Sequence, residues 1–364
     1  MKAAVCHEFG KPLVLEEINL DSPRNGEVKV KLAATAICHS DIHQIREGRG
    51  GGSVPPAPFV SGHECAGYVE EVGEGVDSVR PGDPAVVSHM AYCGKCFYCR
   101  TGRPHLCNFE FPLTKESRLS NKQGQRLAPV IGTSGFAEYV IVDQSQVVKI
   151  PQNMPMDRAA LLSCGVITGF GAVVNRARVE PNSSVVVIGT GGVGINAVQG
   201  ALFVGANPII AVDVIDSKLE AARAFGASHT INSKKEDPVK AVKQLTDGRG
   251  ADYIFVAVGS NSAVVQGFWM SGPRGMTVII GLPSMSEAIL SLPIHAFIKD
   301  ERVLTGGYMG STNLSVDIPH LVSLYQTGRL KLDELITQRY PLEKINEAIE
   351  SAERGEALRN VIMF

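Results

Sequence analysis

The stretch SVVVIGTGGVGINA, residues 184–197, constrains the fold of this 364-residue chain more than any other. A run of β-branched residues stops abruptly at glycines, and the glycines open a segment with helical apolar spacing. The same alternation continues on the C-terminal side. PIIAVDV reads as a strand, SKLEAARAFG as a helix, HTIN as a strand and DPVKAVKQLTDG as a helix; then follow the strand DYIFVAV, the helix SAVVQGFWMS and the strand GMTVIIGL. Regular strand–helix alternation with continuous apolar strands predicts a parallel sheet covered on both faces.

Gly189, Gly191 and Gly194 form G-x-G-x-x-G, and Asp213 ends the next strand about twenty residues on. The motif is weak alone, but leaving a strand and opening a helix is the context it requires. Gly189 allows the tight turn, Gly191 lets backbone approach a pyrophosphate, and Gly194 lets helix pack on strand. The helix N-terminus favours the phosphate charge. Asp213 can accept hydrogen bonds from a ribose diol and would repel a 2′-phosphate, so NAD is expected rather than NADP. Lys218 can reach the same ribose.

Residues 1–150 have a different texture. EVKVKLAATAI, CAGYVEEVGEGV and FAEYVIVDQSQVVKI read as strands, and PRNGE, RPGDP and GRGGGSVPPAP as turns or loops. DRAALLSCGVITGFGAVVNRA reads as a helix after Pro155, and the last sixty or so residues as two amphipathic helices and a terminal strand, RNVIMF. The formal net charge of −2 gives no footprint for nucleic acid or an anionic membrane. The first residues, MKAAVCHEFG, do not read as a signal peptide, and no apolar run approaches the ~20 residues of a membrane span. The expected location is the cytoplasm, where clustered cysteines point to metal or catalysis rather than disulfides.

CGKCFYCRTGRPHLC places Cys93, Cys96, Cys99 and Cys107 at C-x2-C-x2-C-x7-C. Four thiolates complete a tetrahedron, which describes a structural zinc. An iron–sulfur run would have a shorter last gap and a proline after the last cysteine. Cys38, Cys65 and Cys164 remain, with His63 and Glu64 in SGHECAG and two histidines in AICHSDIH. Cys38, His63 and Cys164 would give two thiolates and an imidazole, a ligand set that leaves a position open for catalysis. Spacing does not select them, because they come from distant segments.

Taken together, these residues resemble zinc-dependent medium-chain alcohol dehydrogenases over essentially the whole chain. GHECAGYVEEVGEGV, Gly62 to Val76, is similar to that family's zinc signature, G-H-E-x2-G-x5-G-x2-V; the four-cysteine lobe and the glycine fingerprint follow in order. The resemblance implies an α/β chain with a GroES-like, β-rich catalytic domain (1–165 and 308–364) and a Rossmann NAD-binding domain (166–307). It implies two zinc ions per chain, one on Cys38, His63 and Cys164, with Glu64 behind it as a transient ligand, and one on the lobe. Ser40 would take the alcohol proton and His43 pass it to solvent by way of the nicotinamide ribose, while Asp41 orients His63. His39, where many members have Arg, and Arg359 would contact the coenzyme pyrophosphate. Thr168 would lie near the carboxamide, and Gly192, Val193 and Val258 would complete the coenzyme contacts. Phe136 and His89 resemble substrate-pocket positions, His89 standing where an apolar aromatic is common. Pro84 replaces a usual basic residue, with only a local effect expected. Cys164 and the lobe favour the alcohol branch over the sugar and polyol branch.

The implied activity is reversible, NAD-linked oxidation of an alcohol to an aldehyde or ketone. The implied partner is a small alcohol or aldehyde, with no nucleic acid and no membrane. The long segment from Cys107 to Phe136 resembles the longer loop of dimeric family members, so the resemblance favours a homodimer over a tetramer. Two other readings remain: a relative that holds NAD permanently and passes electrons to another acceptor, and a non-catalytic zinc-binding regulatory protein. Cys6 and Cys65 read as small buried residues.

Overall fold

The computed structural model describes residues 1–48, 56–130, 132–283 and 289–364. Most of the loop read at GRGGGSVPPAP, residues 49–55, lies outside them. The chain divides into two compact units, Gly165–Thr312 and Met1–Cys164 with Asn313–Phe364.

In the unit Gly165–Thr312, six parallel strands run in the spatial order His229–Asn232, Ile209–Asp213, Val185–Ile188, Ala251–Val256, Ser271–Ile279 and Val303–Gly306. The order reverses beside Val185–Ile188, so the glycine turn leaves the sheet at its topological switch point, where such folds bind ligands. Val185–Ile188 is buried along its whole length. Val186, Ile188, Ile210, Val212, Ile254 and Val256 share one core cluster, each worth about 1.5–3 kcal/mol of burial. Helix starts follow from sequence: Asp237 accepts from the N–H groups of Val239 and Lys240 at 3.0 and 3.2 Å, and Pro238 occupies the first helical position. The sixth strand escapes a sequence reading, since VLTG is too short to show a period.

In the other unit, the ten-residue strand Glu27–Ala36 is the hub. It pairs antiparallel with Glu64–Val72, Tyr139–Asp143 and the C-terminal strand Arg359–Met363. Its alternation sends Val28, Val30 and Leu32 into a core with Cys65, Val87 and Val142. A second core gathers Val5, Phe59, Phe136 and Ile362. Pro84 starts the strand Pro84–Val87, a position at which a missing donor is tolerated.

The helical run predicted after Pro155 spans Met156–Ala177. By length and composition it could cross a membrane, which corrects the expectation that nothing in the chain approaches such a span; 89% of its apolar window is buried inside the protein. It is not a uniform α-helix. Leu162–Val166 and Ala172–Ala177 are π-helical turns, wider and rarer than α, and Cys164 sits in the first of them.

Candidate metal centre and coenzyme loop

Strand register assembles the buried cluster. Ala36 pairs with Glu64 on one side and with Val361 on the other. The residues just beyond these pairs, Cys38, His63 and Arg359, therefore meet at one end of the sheet. Gly62 makes the turn into this end: its φ is +97°, and a Cβ there would lie 2.6 Å from the Phe136 nitrogen. Side-chain atoms of Cys38, His63, Glu64 and Cys164 all lie within 4.8 Å of one another, and all four residues are buried. His63 Nε2 is 3.3 Å from Cys164 Sγ. Zn–N and Zn–S bonds of about 2.0 and 2.3 Å give a tetrahedral N–S edge of about 3.5 Å. The donor set and its spacing thus fit a zinc ion.

The helix His39–Glu47 answers which groups of AICHSDIH belong to the cluster. Cys38 is its N-cap, so its sulfur lies where the helix dipole favours an anion. Asp41, Gln44 and Ile45 face inward, whereas His39 is exposed and Ser40 and His43 are partly exposed. Asp41 is the hub behind the donors. Its carboxylate is 2.8 Å from His63 Nδ1 and accepts from Ser61 Oγ and the Gly62 N–H at 2.9 Å and from the Cys38 N–H at 3.3 Å. That fixes the ring and leaves Nε2 for the cluster. His43 lies 4.0 Å from Glu47 on the accessible side.

The electrostatics follow from burial and crowding. Hydrogen bonding to Cys164, offset in part by burial and reinforced by His63, holds the Cys38 thiol well below its usual range. Burial works against a charged His63, yet the Asp41 carboxylate and Cys38 outweigh it and raise the ring to about 10. A metal bound here would compete with protons for these donors, because cysteine and histidine ligate in their deprotonated forms. Glu64 is fully buried against the Arg359 guanidinium, and its Oε1 has no hydrogen-bond partner among the described residues. Burial lowers Arg359 from the usual guanidinium range. His89 stands edge-on to His63 with ring centroids 5.0 Å apart, and burial, then the charge on His63, pushes it to about 3. Phe136, which the resemblance places near a substrate pocket, is buried in a core cluster, and its N–H donates to the Ser61 carbonyl at 2.8 Å.

The lobe is built differently. Cys93, Cys96, Cys99 and Cys107 also lie within 4.8 Å of one another but are half-buried. The Cys96–Cys99 and Cys96–Cys107 sulfurs are 3.5 and 3.8 Å apart, against about 3.8 Å for the edge of a zinc–thiolate tetrahedron. The N–H groups of Cys93 and Cys96 donate to the Cys107 and Cys93 sulfurs at 3.3 Å each. Hydrogen bonds led by the Cys99 N–H bring Cys96 down to about 6, while burial and neighbouring thiols push Cys99 up to about 12. Four thiols this close share one cation far better than they share protons. No disulfide forms among the described residues, and Cys6 and Cys65 are buried as expected.

In the parallel-sheet unit, a Cβ on Gly194 would lie 1.8 Å from the Gly189 carbonyl oxygen, while one on Gly191 would meet nothing within 4 Å. The first glycine is required for packing, and the second leaves backbone open to a ligand. Gly192 and Val193 lead into the helix Gly194–Phe203. Val258 packs against Gly189 from the neighbouring strand end. Asp213 accepts from the Thr190 N–H and hydroxyl at 2.7 and 3.1 Å and from the Val214 and Ile215 N–H groups at 2.7 and 3.1 Å. Its carboxylate therefore also pins the glycine loop to the second strand, a role sequence reading missed because Thr190 fills an unspecified place in the motif. Lys218 is partly exposed on the helix Asp216–Ala224. Thr168 is buried and donates to Met309 Sδ at 3.7 Å.

Comparison with known proteins extends these observations to the whole chain. Residues 24–152 match the family described as alcohol dehydrogenase GroES-like domain, and residues 192–327 the family described as zinc-binding dehydrogenase. An NDMA-dependent alcohol dehydrogenase of Amycolatopsis methanolica is 40% identical across 100% of this chain and 98% of its own length. An alcohol dehydrogenase zinc-binding domain protein from Burkholderia ambifaria superposes with a TM-score of 0.94 at 33% identity, covering 100% of this chain and 98% of that one. The benzyl alcohol dehydrogenase of Acinetobacter calcoaceticus gives 0.91 at 33% identity, over 100% and 99%. With its GroES-like and Rossmann units, this chain belongs to the zinc-dependent medium-chain alcohol dehydrogenase family.

Proposed function

We propose that this alcohol dehydrogenase carries two zinc ions per chain, one on Cys38, His63 and Cys164 with Glu64 in reserve, the other on Cys93, Cys96, Cys99 and Cys107. The observation that carries the reading is the pair of four-donor clusters, one buried and mixed, one half-exposed and all thiol. When bound, zinc supplies Lewis acidity toward an alcohol oxygen, and NAD accepts the hydride. The chain's own residues do the rest. Asp41 keeps the His63 ring in its metal-facing orientation. Ser40 and His43, three apart on one helix, share an accessible side, where Ser40 receives the alcohol proton and His43 hands it to water. Gly191, Gly192 and Val193 present backbone to the coenzyme phosphates, with His39 and Arg359 as cationic contacts. Asp213 and Lys218 read the adenosine ribose, Val258 packs on the adenosine, and Thr168 meets the carboxamide. Metal analysis with a panel of alcohols and NAD tests this: the expected result is two zinc ions and alcohol-dependent NADH formation. Active, fully loaded enzyme with one zinc would refute the two-site assignment.

The NDMA dependence stated in the name of the 40% identical relative favours one variant of this reading, in which NAD is held through turnover and electrons pass to an added acceptor. NAD that stays with the protein on gel filtration supports that variant, and NAD that separates from it removes it. The proposal includes a cytoplasmic location, supported by the absence of disulfides among eight cysteines, and a homodimer. Exposed Ile294, Ile298 and Val303, the last on the edge strand of the parallel sheet, offer apolar surface to a second copy. Light scattering distinguishes monomer, dimer and tetramer.

A further inference from the structure

His89 is a nitrogen heterocycle beside the buried donor cluster, with no hydrogen-bond partner among the described residues. Its Nδ1 is buried without a hydrogen-bond partner, and no hydrogen bond or ion pair to its other nitrogen occurs among the described residues. The His63 ring stands edge-on to it, with centroids 5.0 Å apart. Buried polar atoms are normally satisfied, and leaving one unmet costs about 1–3 kcal/mol. A purely structural filler at this position would be a phenyl ring, which packs edge-on equally well without that penalty.

The position of His89 is fixed rather than incidental. It follows the strand Pro84–Val87, whose Val87 pairs with Cys65, two residues after His63. The adjacent Ser88 is 0% exposed. Its hydroxyl donates to the Ser163 carbonyl at 2.8 Å, next to Cys164, and its own carbonyl accepts from Gln146 Nε2 at 2.9 Å. The residue is thus anchored beside two of the proposed metal donors, while its ring nitrogens are left for something else.

We propose that His89 is a specificity-determining residue that hydrogen-bonds a second oxygen of the substrate, so that the enzyme prefers short alcohols with a hydroxyl on the neighbouring carbon over plain alkanols. The inference rests on the alcohol dehydrogenase reading above. A neutral imidazole offers one donor and one acceptor, and a hydroxyl can answer either, so the match does not depend on the tautomer. The 5.0 Å ring separation from His63 sets the reach. A molecule whose carbinol oxygen is held at the cluster can bring only a nearby second oxygen to His89. A site built to hydrogen-bond a substrate hydroxyl discriminates against the analogue lacking it more strongly than an apolar pocket discriminates by size.

The test compares kcat/KM for 1,2-propanediol with that for 1-propanol, with benzyl alcohol as a second apolar probe, in the wild type, His89→Phe and His89→Gln. The wild type is expected to favour the diol. His89→Phe should lower the diol-to-propanol ratio about tenfold, the scale of one hydrogen bond, and His89→Gln, which keeps a donor and an acceptor, should recover most of it. A packing defect lowers both substrates together and does not move the ratio. A wild type that favours propanol overturns the proposal without any variant, as does an unmoved ratio in folded His89→Phe. If the wild type oxidises none of the three, with NAD or an added acceptor, the underlying reading falls and takes this inference with it; oxidation of propanol and benzyl alcohol without diol preference sinks the inference alone.

Discussion

The two cysteine clusters use nearly the same donor atoms under opposite constraints. The lobe draws all four from residues 93–107, on a half-exposed turn of chain that belongs to none of the hydrophobic clusters described. The other draws its donors from residues 38–164, every one buried, and positions them by strand register, a helix N-cap and a π-helical turn. In the lobe an ion would hold the chain. In the buried site the chain would hold the ion, and can spare a position for chemistry. The difference teaches that ligand identity alone does not separate a structural from a catalytic site; what separates them is whether the scaffold stands without the metal.

The largest effect should come from removing a buried donor. Cys164→Ala is expected to lose about 10³-fold or more in kcat/KM while remaining folded, because it removes a donor of the metal that stabilises transition-state charge. Steady-state kinetics and metal content check this, the latter falling by one ion. Retained activity would mean the two clusters are functionally alike.

Next is the reciprocal change, Cys107→Ser. With little apolar burial to replace the ion, the lobe should lose several kcal/mol of metal-linked stability. The expected reading is a lower Tm with turnover per folded molecule largely kept. An unchanged Tm with lost turnover would invert the comparison.

Asp41→Asn sharpens the same contrast without touching a donor. It keeps the shape but removes the charge that holds the His63 ring, so metal affinity at the buried site should fall about 10–100-fold. Chelator competition should then strip one ion early and leave the lobe's ion in place. Loss of both ions in parallel would show the sites to be coupled.

The smallest effect concerns the anchor of the Cys164 helix. Asp157, one residue into that run, bonds Arg158 at 2.8 and 2.9 Å and Arg339 at 2.8 Å. Burial opposes its charge, but the two guanidinium groups outweigh it and lower its pKa. A depressed carboxylate pKa stabilises the fold above the unfolded value of about 3.9, and that stabilisation is lost as pH falls through the folded value. Asp157→Asn should therefore cost about 1–2 kcal/mol at neutral pH, reduced by the exposure of Arg339. In thermal melts the gap to wild type should be constant from about pH 5 to 8 and close below about 4. A gap that widens in acid would contradict the assignment.

The sequence alone was enough for most features whose cause is local. The four-cysteine spacing is a local loop property, and Gly94 and Gly102, which fall between those cysteines in the sequence, have φ of +71° and +78°. The glycine fingerprint and its neighbouring strands and helices read directly, because fully apolar strands and 3.6-residue helices leave different periods. The buried cluster was different. Its residues could be proposed from the family resemblance but not from spacing, because nothing local connects Cys38, His63 and Cys164. Only the pairing of Ala36 with Glu64 and Val361, and the packed helix carrying Cys164, bring them together. Tertiary structure likewise decided that Phe136 is core, that Asp213 is tied to Thr190, and that His89 stands beside His63 with its Nδ1 unmet. The physical reason is the same in each case: backbone periodicity and turn chemistry are written within a few residues, whereas register between distant strands is selected by the whole core, and a buried side chain's partners exist only once that core has closed.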